Sequence, residues 1–437
     1  MQSKGASADR ERVGLENSRS AESHKWLYIL IAYYGFEYLR LQDSFFPFLS
    51  PLKIPMLLTL ILTGYVLVNL KHLQSSKSLF CILIFWILIV SWVPFATNNH
   101  HAFQTAKSMS MVFFSCLATI LIVDSREKFR IFFNSLTIFL IVLSFWIIYS
   151  GGNGPGGFLR DENDAALIMV CALPLVFYRI FHVASRIFRN FLVLGLFSIL
   201  VAVVVTYSRG GLVGLVAVIG FMIWLSRKRW RNIFVSMLIL SLSGGISLAL
   251  LPQDYVDDMS TITNKEDGTR NLRLLHWTTA LEIFKDNPVL GVGPENYPWT
   301  SNKYLHLSPY FKEGARFRAG RQAHSLYFTL IPELGLVGII TFFLLIFRHR
   351  SNAREIILKT NEAGSRSLAK AIYASLVGFL AAGAFISVLY YPIFWHLIFV
   401  GLAFHQIETK YLPSSKTQVW INGRESKKAD FNNHSRA

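Results

Sequence analysis

The chain has 437 residues, of which 53% are hydrophobic, 14% aromatic and only 16% charged. Mean hydropathy is +0.41. This excludes a disordered chain, a collagen-like fibre and an ordinary soluble enzyme, in which about 25% of residues are charged. What remains is an all-α polytopic membrane protein, with an unexplained formal charge of +17 from 43 Lys+Arg against 26 Asp+Glu.

Residues 1–25 form a polar, basic tail with no short apolar segment or small-residue cleavage site after it, so no cleaved signal peptide is expected. Apolar runs of roughly membrane length then fall at 26–41, 54–70, 79–97, 106–123, 129–150, 165–181, 191–207, 211–225, 233–251, 325–347, 370–390 and 391–407. That predicts about twelve transmembrane helices. They group as helices one to nine over 26–251, a long loop over 252–324, helices ten to twelve over 325–407, and a basic tail over 408–437. Cys81, Cys116 and Cys171 lie inside apolar runs without metal-ligand spacing or a plausible disulfide partner.

Charge placement fixes the orientation. With residues 1–25 in the cytoplasm, the inside segments hold 29 of the 43 basic residues. The short outside segments hold four: Lys53, Lys107, Arg160 and Arg209. The positive-inside rule then puts both termini in the cytoplasm and the 252–324 loop outside. The basic excess reports topology, and no nucleic-acid partner is expected.

A loop as long as 252–324 is uncommon unless it is functional. It carries nine basic and nine acidic residues, with Arg316, Arg318 and Arg321 concentrated near its end. Thr269–Asn287 reads as a helix, with Asp267 as N-cap and Asn287-Pro288 as the stop. Arg273, Trp277, Leu281 and Phe284 share a face, which would suit a membrane-surface helix anchored by Trp and Phe.

Several residues have the chemistry for a site. Arg209, in TYSRGG at 206–211, fits an interfacial snorkelling arginine or a phosphate ligand beside two glycines. Arg273 fits a surface arginine or an anion contact, with Arg270 one turn earlier as its competitor. His324 is the best general base on the outside, ahead of His276, His306, His100 and His101. Glu333 lies within span ten, where a carboxylate either orients a positive group or bonds a neighbouring helix. The loop GGNGPGGFLRDEND at 151–164 is a connector or a substrate-facing rim, with Arg160 and Asn163 as contacts. Glu37 and Arg40 share a helix face and can pair. No acidic pair, Walker loop or HExxH is present, so neither metal nor other cofactor is implied.

Four stretches together resemble the bacterial O-antigen ligase and polysaccharide polymerase superfamily. They are Ser208-Arg-Gly-Gly211; Arg273 to Trp277 running into Asn287-Pro-Val-Leu-Gly-Val-Gly-Pro294; His324-Ser-Leu-Tyr327 with Glu333-Leu-Gly-Leu-Val-Gly338; and Gly157-Phe-Leu159 with Asn163. The resemblance covers about residues 150–350. It implies a GT-C-like inner-membrane enzyme with its active site facing the periplasm and an inverting, metal-free transfer. The implied donor is a glycan on undecaprenyl pyrophosphate. The implied acceptor is lipid A–core, a growing glycan or a protein hydroxyl. By position, Arg209 and Arg273 match the family's pyrophosphate arginines, and His324 matches the histidine proposed to activate the acceptor. The Arg316–Arg321 cluster is an alternative pyrophosphate contact. A transporter or flippase is the reading from another class, and it would require pseudo-symmetric halves that the sequence does not display.

Overall fold

The computed structural model describes residues 24–226, 268–312 and 320–412, together with Trp230, Ile233 and Met237. Among these residues all regular structure is helical. The helices are α1 (24–39), α2 (Ile54–Asn69), α3 (Lys77–Ser91), α4 (Asn99–Ile122), α5 (Arg126–Tyr149), α6 (Glu162–Ile180), α7 (Arg186–Val205), α8 (Arg209–Trp224), α9 (Gly268–Asp286), α10 (Leu326–Lys359), α11 (Ala363–Gly383) and α12 (Pro392–Thr409).

Among the described residues, seven segments are long and apolar enough to cross a membrane, namely α2 and α3 with their flanking turns, α4 to α7, and α10. The protein is therefore a membrane protein, though seven is fewer than the expected twelve. The expected ninth span lies outside the described residues except for Ile233 and Met237. The helix at the eighth, α8, is apolar but has only 16 residues.

Several boundaries differ from expectation, α10 for instance running on to Lys359, and two of the differences have a local cause. Helix α4 begins at Asn99 because Asn98 accepts the His101 N–H and so caps a polar first turn that hydropathy overlooks. The eleventh run divides at Gly383, well before the expected 390. An irregular segment over 384–391 follows, and Pro392 restarts the chain at the first position of α12.

Helix α6 is the axis of the bundle. It packs against α7, α8 and α11, and α11 also lies against α8, α10 and α12. Small residues allow these close approaches. A Cβ on Gly211 would lie 2.5 Å from Ala166 Cβ, and one on Gly214 would lie 2.7 Å from Ala382 Cβ. Buried Ser375 donates to the Cys171 carbonyl at 2.7 Å, linking α11 to α6 with a polar bond that lipid cannot supply. All three cysteines are buried and free. Arg40 pairs with Asp43 at 3.5 Å, and its charge also acts on Glu37.

Candidate active site at one end of the bundle

The site begins with a break in α10. Pro332 has no N–H to give the Phe328 carbonyl, and Gly335 has φ 59° and ψ −160°, a non-helical backbone that breaks the bonds from Leu336 and Val337 back to Pro332 and Glu333. The turn after α9 takes over all four groups. Leu336 N–H donates to the Pro288 carbonyl (2.8 Å) and Val337 N–H to Val289 (3.1 Å), while Val292 and Gly293 N–H donate to the Pro332 and Glu333 carbonyls (2.9 Å each). Both glycines are required by close approach. A Cβ on Gly291 would sit 2.4 Å from the Glu333 carbonyl carbon, and one on Gly335 would sit 2.6 Å from Leu290 N.

The Glu333 side chain completes the joint. It is fully buried and accepts from Glu295 N–H (2.8 Å), Tyr297 N–H (3.0 Å) and the Tyr390 hydroxyl (2.7 Å). Its carboxylate therefore bonds other segments of the chain, the second of the two roles expected for it. Glu295 has a left-handed backbone, φ 56°, and its carboxylate accepts from Gln322 just upstream of His324. Burial pushes the Glu295 carboxyl above its usual range, while the Gln322 bond opposes that.

Helix α9 holds the next part. Its observed range, Gly268–Asp286, nearly matches the expected one, while Asp267 lies outside the described residues. Trp277 faces the protein, not lipid. Its indole N–H donates to the Ala323 carbonyl (3.1 Å), and its ring stacks on Phe328 at 4.9 Å and 12°. The expected membrane anchor thus anchors the loop to the start of α10.

His324 follows Ala323 directly. It is exposed, with a left-handed backbone at φ 50°, and Ser325 caps α10 after it. Arg273 on α9, Arg321 and Asp161 are within electrostatic reach. Partial desolvation, then the Arg273 and Arg321 charges, hold the imidazole below its usual pKa, while Asp161 pushes it up.

Arg209 enters from the other side of the bundle. It is the half-buried first residue of α8, after Tyr207 at φ 54° and the capping residue Ser208. The positive end of the helix dipole adds to its charge. Ser208 donates to Asn163 (2.7 Å), and Asn163 donates through both its side chain and its backbone to Asp161 (2.8 Å each). Asn163 is thus a brace between α6 and α8. The Gly-rich loop is stapled at both sides. Ser44 donates to the Pro155 carbonyl at 2.6 Å, and Gly152 lies so close to α7 that a Cβ would be 2.4 Å from the Val205 carbonyl oxygen.

The structure therefore brings Arg273, Arg321 and Asp161 within electrostatic reach of His324, and hydrogen bonds run from Asp161 through Asn163 to Ser208, the residue before Arg209. Arg160 and Arg270 are exposed, and no hydrogen bond or ion pair joins either to this cluster. Arg316 and Arg318 lie outside the described residues. Sequence reading missed Asp161, which looked like one more polar residue in a loop, and Tyr297, whose role depends on contacts far along the chain.

A family model described as O-antigen ligase matches residues 194–343, a stretch holding Arg209, Arg273, His324 and Glu333. No curated protein matches the chain significantly.

Proposed function

We propose that this chain, whose residues 194–343 carry the O-antigen ligase match, is a membrane glycan transferase using a lipid-pyrophosphate donor. The observation that supports the reading is that His324, in the turn before α10, has Arg273 of α9 and Arg321 within electrostatic reach. A histidine held below its usual pKa is neutral at neutral pH and can take a proton. Arginine keeps its charge and binds phosphate oxygens bidentately.

The reaction follows from those two properties. An acceptor hydroxyl gives its proton to His324 as its oxygen attacks the anomeric carbon of the donor sugar. The bond from that carbon to the pyrophosphate oxygen breaks on the opposite face. The leaving pyrophosphate takes the electron pair, and Arg209 and Arg273 meet the growing charge. Attack opposite the leaving group inverts the anomeric centre, and no metal is needed. The scarcity of basic residues in the short loops at this end supports the reading that it faces the periplasm, where an undecaprenyl-pyrophosphate glycan would be presented.

The test is a strain lacking the protein, complemented by wild type, His324→Ala or Arg209→Ala, with lipopolysaccharide resolved on a gel. We expect both variants to insert normally and give no transfer product. Wild-type product from both would sink the assignment. Loss of all long-chain material identifies a ligase, and loss of chain length with single repeats still attached identifies a polymerase. An unchanged gel directs the search to exopolysaccharide or protein acceptors.

A further inference from the structure

His276 is 2% exposed and lies on α9 beside Trp277, which holds Ala323 and hence the His324 backbone. Two contacts to Tyr297 fix its protonation pattern. The Tyr297 hydroxyl is 2.9 Å from the His276 carbonyl oxygen and 2.9 Å from His276 Nδ1. That hydroxyl has one hydrogen, and the carbonyl can only accept, so the hydrogen points at the carbonyl. Burial and the Glu333 charge push the tyrosine pKa up, so it keeps that hydrogen. With both contacts made as hydrogen bonds, Nδ1 is the donor to the phenolic oxygen and the hydrogen of the neutral ring sits on Nδ1. Nε2, on the far edge of the ring, carries a lone pair. It is buried, and among the described residues no donor reaches it.

A buried acceptor without a partner costs about 1–3 kcal/mol, which makes an orphan of this kind a place to look for a missing ligand. The groups that act electrostatically on this ring are His324 and Arg321, both in the segment leading into α10. Burial and those two neighbours push His276 down to about 4, so it stays neutral and remains an acceptor across the physiological range.

We propose that His276 Nε2 is a hydroxyl-binding subsite, accepting a hydrogen bond from a sugar hydroxyl and so positioning the acceptor glycan beside His324. The idea rests on the transferase reading above. It adds a substrate class, since an Nε2 acceptor selects a neutral O–H donor and offers nothing to a phosphate oxygen. His276 is here a binding residue, and His324 remains the base.

Two substitutions separate the two ends of the ring. His276→Asn can retain a donor near the Nδ1 position for Tyr297 but loses the acceptor at Nε2. His276→Gln can place its amide oxygen near Nε2 but loses the donor to Tyr297. The assay is glycan transfer in membranes carrying the native lipid-linked donor, with acceptor concentration varied and thermal stability measured in parallel. We expect His276→Asn to keep its stability and raise the acceptor KM roughly tenfold, the loss of about one neutral hydrogen bond. We expect His276→Gln to keep an acceptor KM near wild type even if it is less stable. An unchanged acceptor KM in His276→Asn overturns the subsite while leaving the transferase reading intact. Equal KM defects in both variants overturn it too, because the Tyr297 contact would then be what matters. A wild type that transfers nothing to any acceptor takes down the transferase reading and this inference together.

Discussion

Removing the Glu333 carboxylate should loosen the whole site, and the size of the effect can be worked out from its three bonds. Glu333→Leu leaves the Glu295 N–H, the Tyr297 N–H and the Tyr390 hydroxyl without their acceptor in a fully buried place. Each stranded donor costs about 1–3 kcal/mol. The Tyr390 hydroxyl can rotate to a new partner, whereas the two backbone groups cannot, so the total is about 3–5 kcal/mol. Glu333→Gln keeps one oxygen. Placed at the Oε2 position it still serves Glu295 and Tyr390, while its NH2 faces the Tyr297 N–H, for a cost of about 1–3 kcal/mol. The assay is thermal unfolding of purified protein in one detergent, paired with limited proteolysis of the 252–324 loop. We expect stability to fall from wild type to Gln to Leu, with the Leu variant nicked in the loop before the bundle melts. A Leu variant that melts within about 1 °C of wild type and resists nicking equally would falsify the claim that Glu333 clamps the turn. A Gln variant as weak as Leu would show that charge, not acceptor count, does the work.

Asp161→Asn should move the acid limb of the pH profile of transfer to lower pH. Asp161 raises the His324 pKa, so its loss lowers that pKa further, and a base that works unprotonated then stays active in more acid solution. Asn caps a helix as well as Asp, so α6 should survive, and an upward shift would contradict the placement of Asp161. Gly335→Ala should depress folded yield sharply, because φ is 59° and the new Cβ meets backbone at 2.6 Å. Gly220→Ala is the control, with nothing within 4 Å of its added Cβ, and similar yields from the two would remove the argument from the broken helix. Transfer should continue in excess EDTA; loss of activity restored by a divalent ion would end the metal-free mechanism.

The parts of this architecture readable from sequence were those set by local chemistry. Apolar run length located most of the helices, and Asn287-Pro288 stopped α9 where expected. Arg209, Arg273 and His324 stood out as polar groups on the side where basic residues are scarce. Asn163 was noticed, but its brace to Ser208 joins positions 45 residues apart, which no local pattern reveals. Glu333 was conspicuous as a carboxylate in an apolar helix, yet its partners Glu295, Tyr297 and Tyr390 come from two other segments. His276 was noticed only as a weaker rival base, because its contact with Tyr297 joins positions 21 residues apart.

Backbone strain supplies an argument that sequence could not. Among the described residues, five non-glycine positions have positive φ: Arg40, Lys53, Tyr207, Glu295 and His324. All five lie at the end of the bundle that holds the site, in the turns between helices. Left-handed backbone in such residues costs of order 1–3 kcal/mol each and persists only where the surroundings over-determine it. The determinants are visible for three of them. Ser208 and its Asn163 bond fix the chain just after Tyr207. The Glu333 carboxylate takes the Glu295 N–H, and Gln322 holds its side chain. Trp277 grips Ala323 before His324, and Ser325 caps α10 after it. Ordinary turns could join these helices without such strain. On the proposed transferase reading, the strain at Tyr207 and His324 meets a requirement on where Arg209 and His324 stand, since a base and a cation serving opposite faces of one anomeric carbon would both have to be held in place.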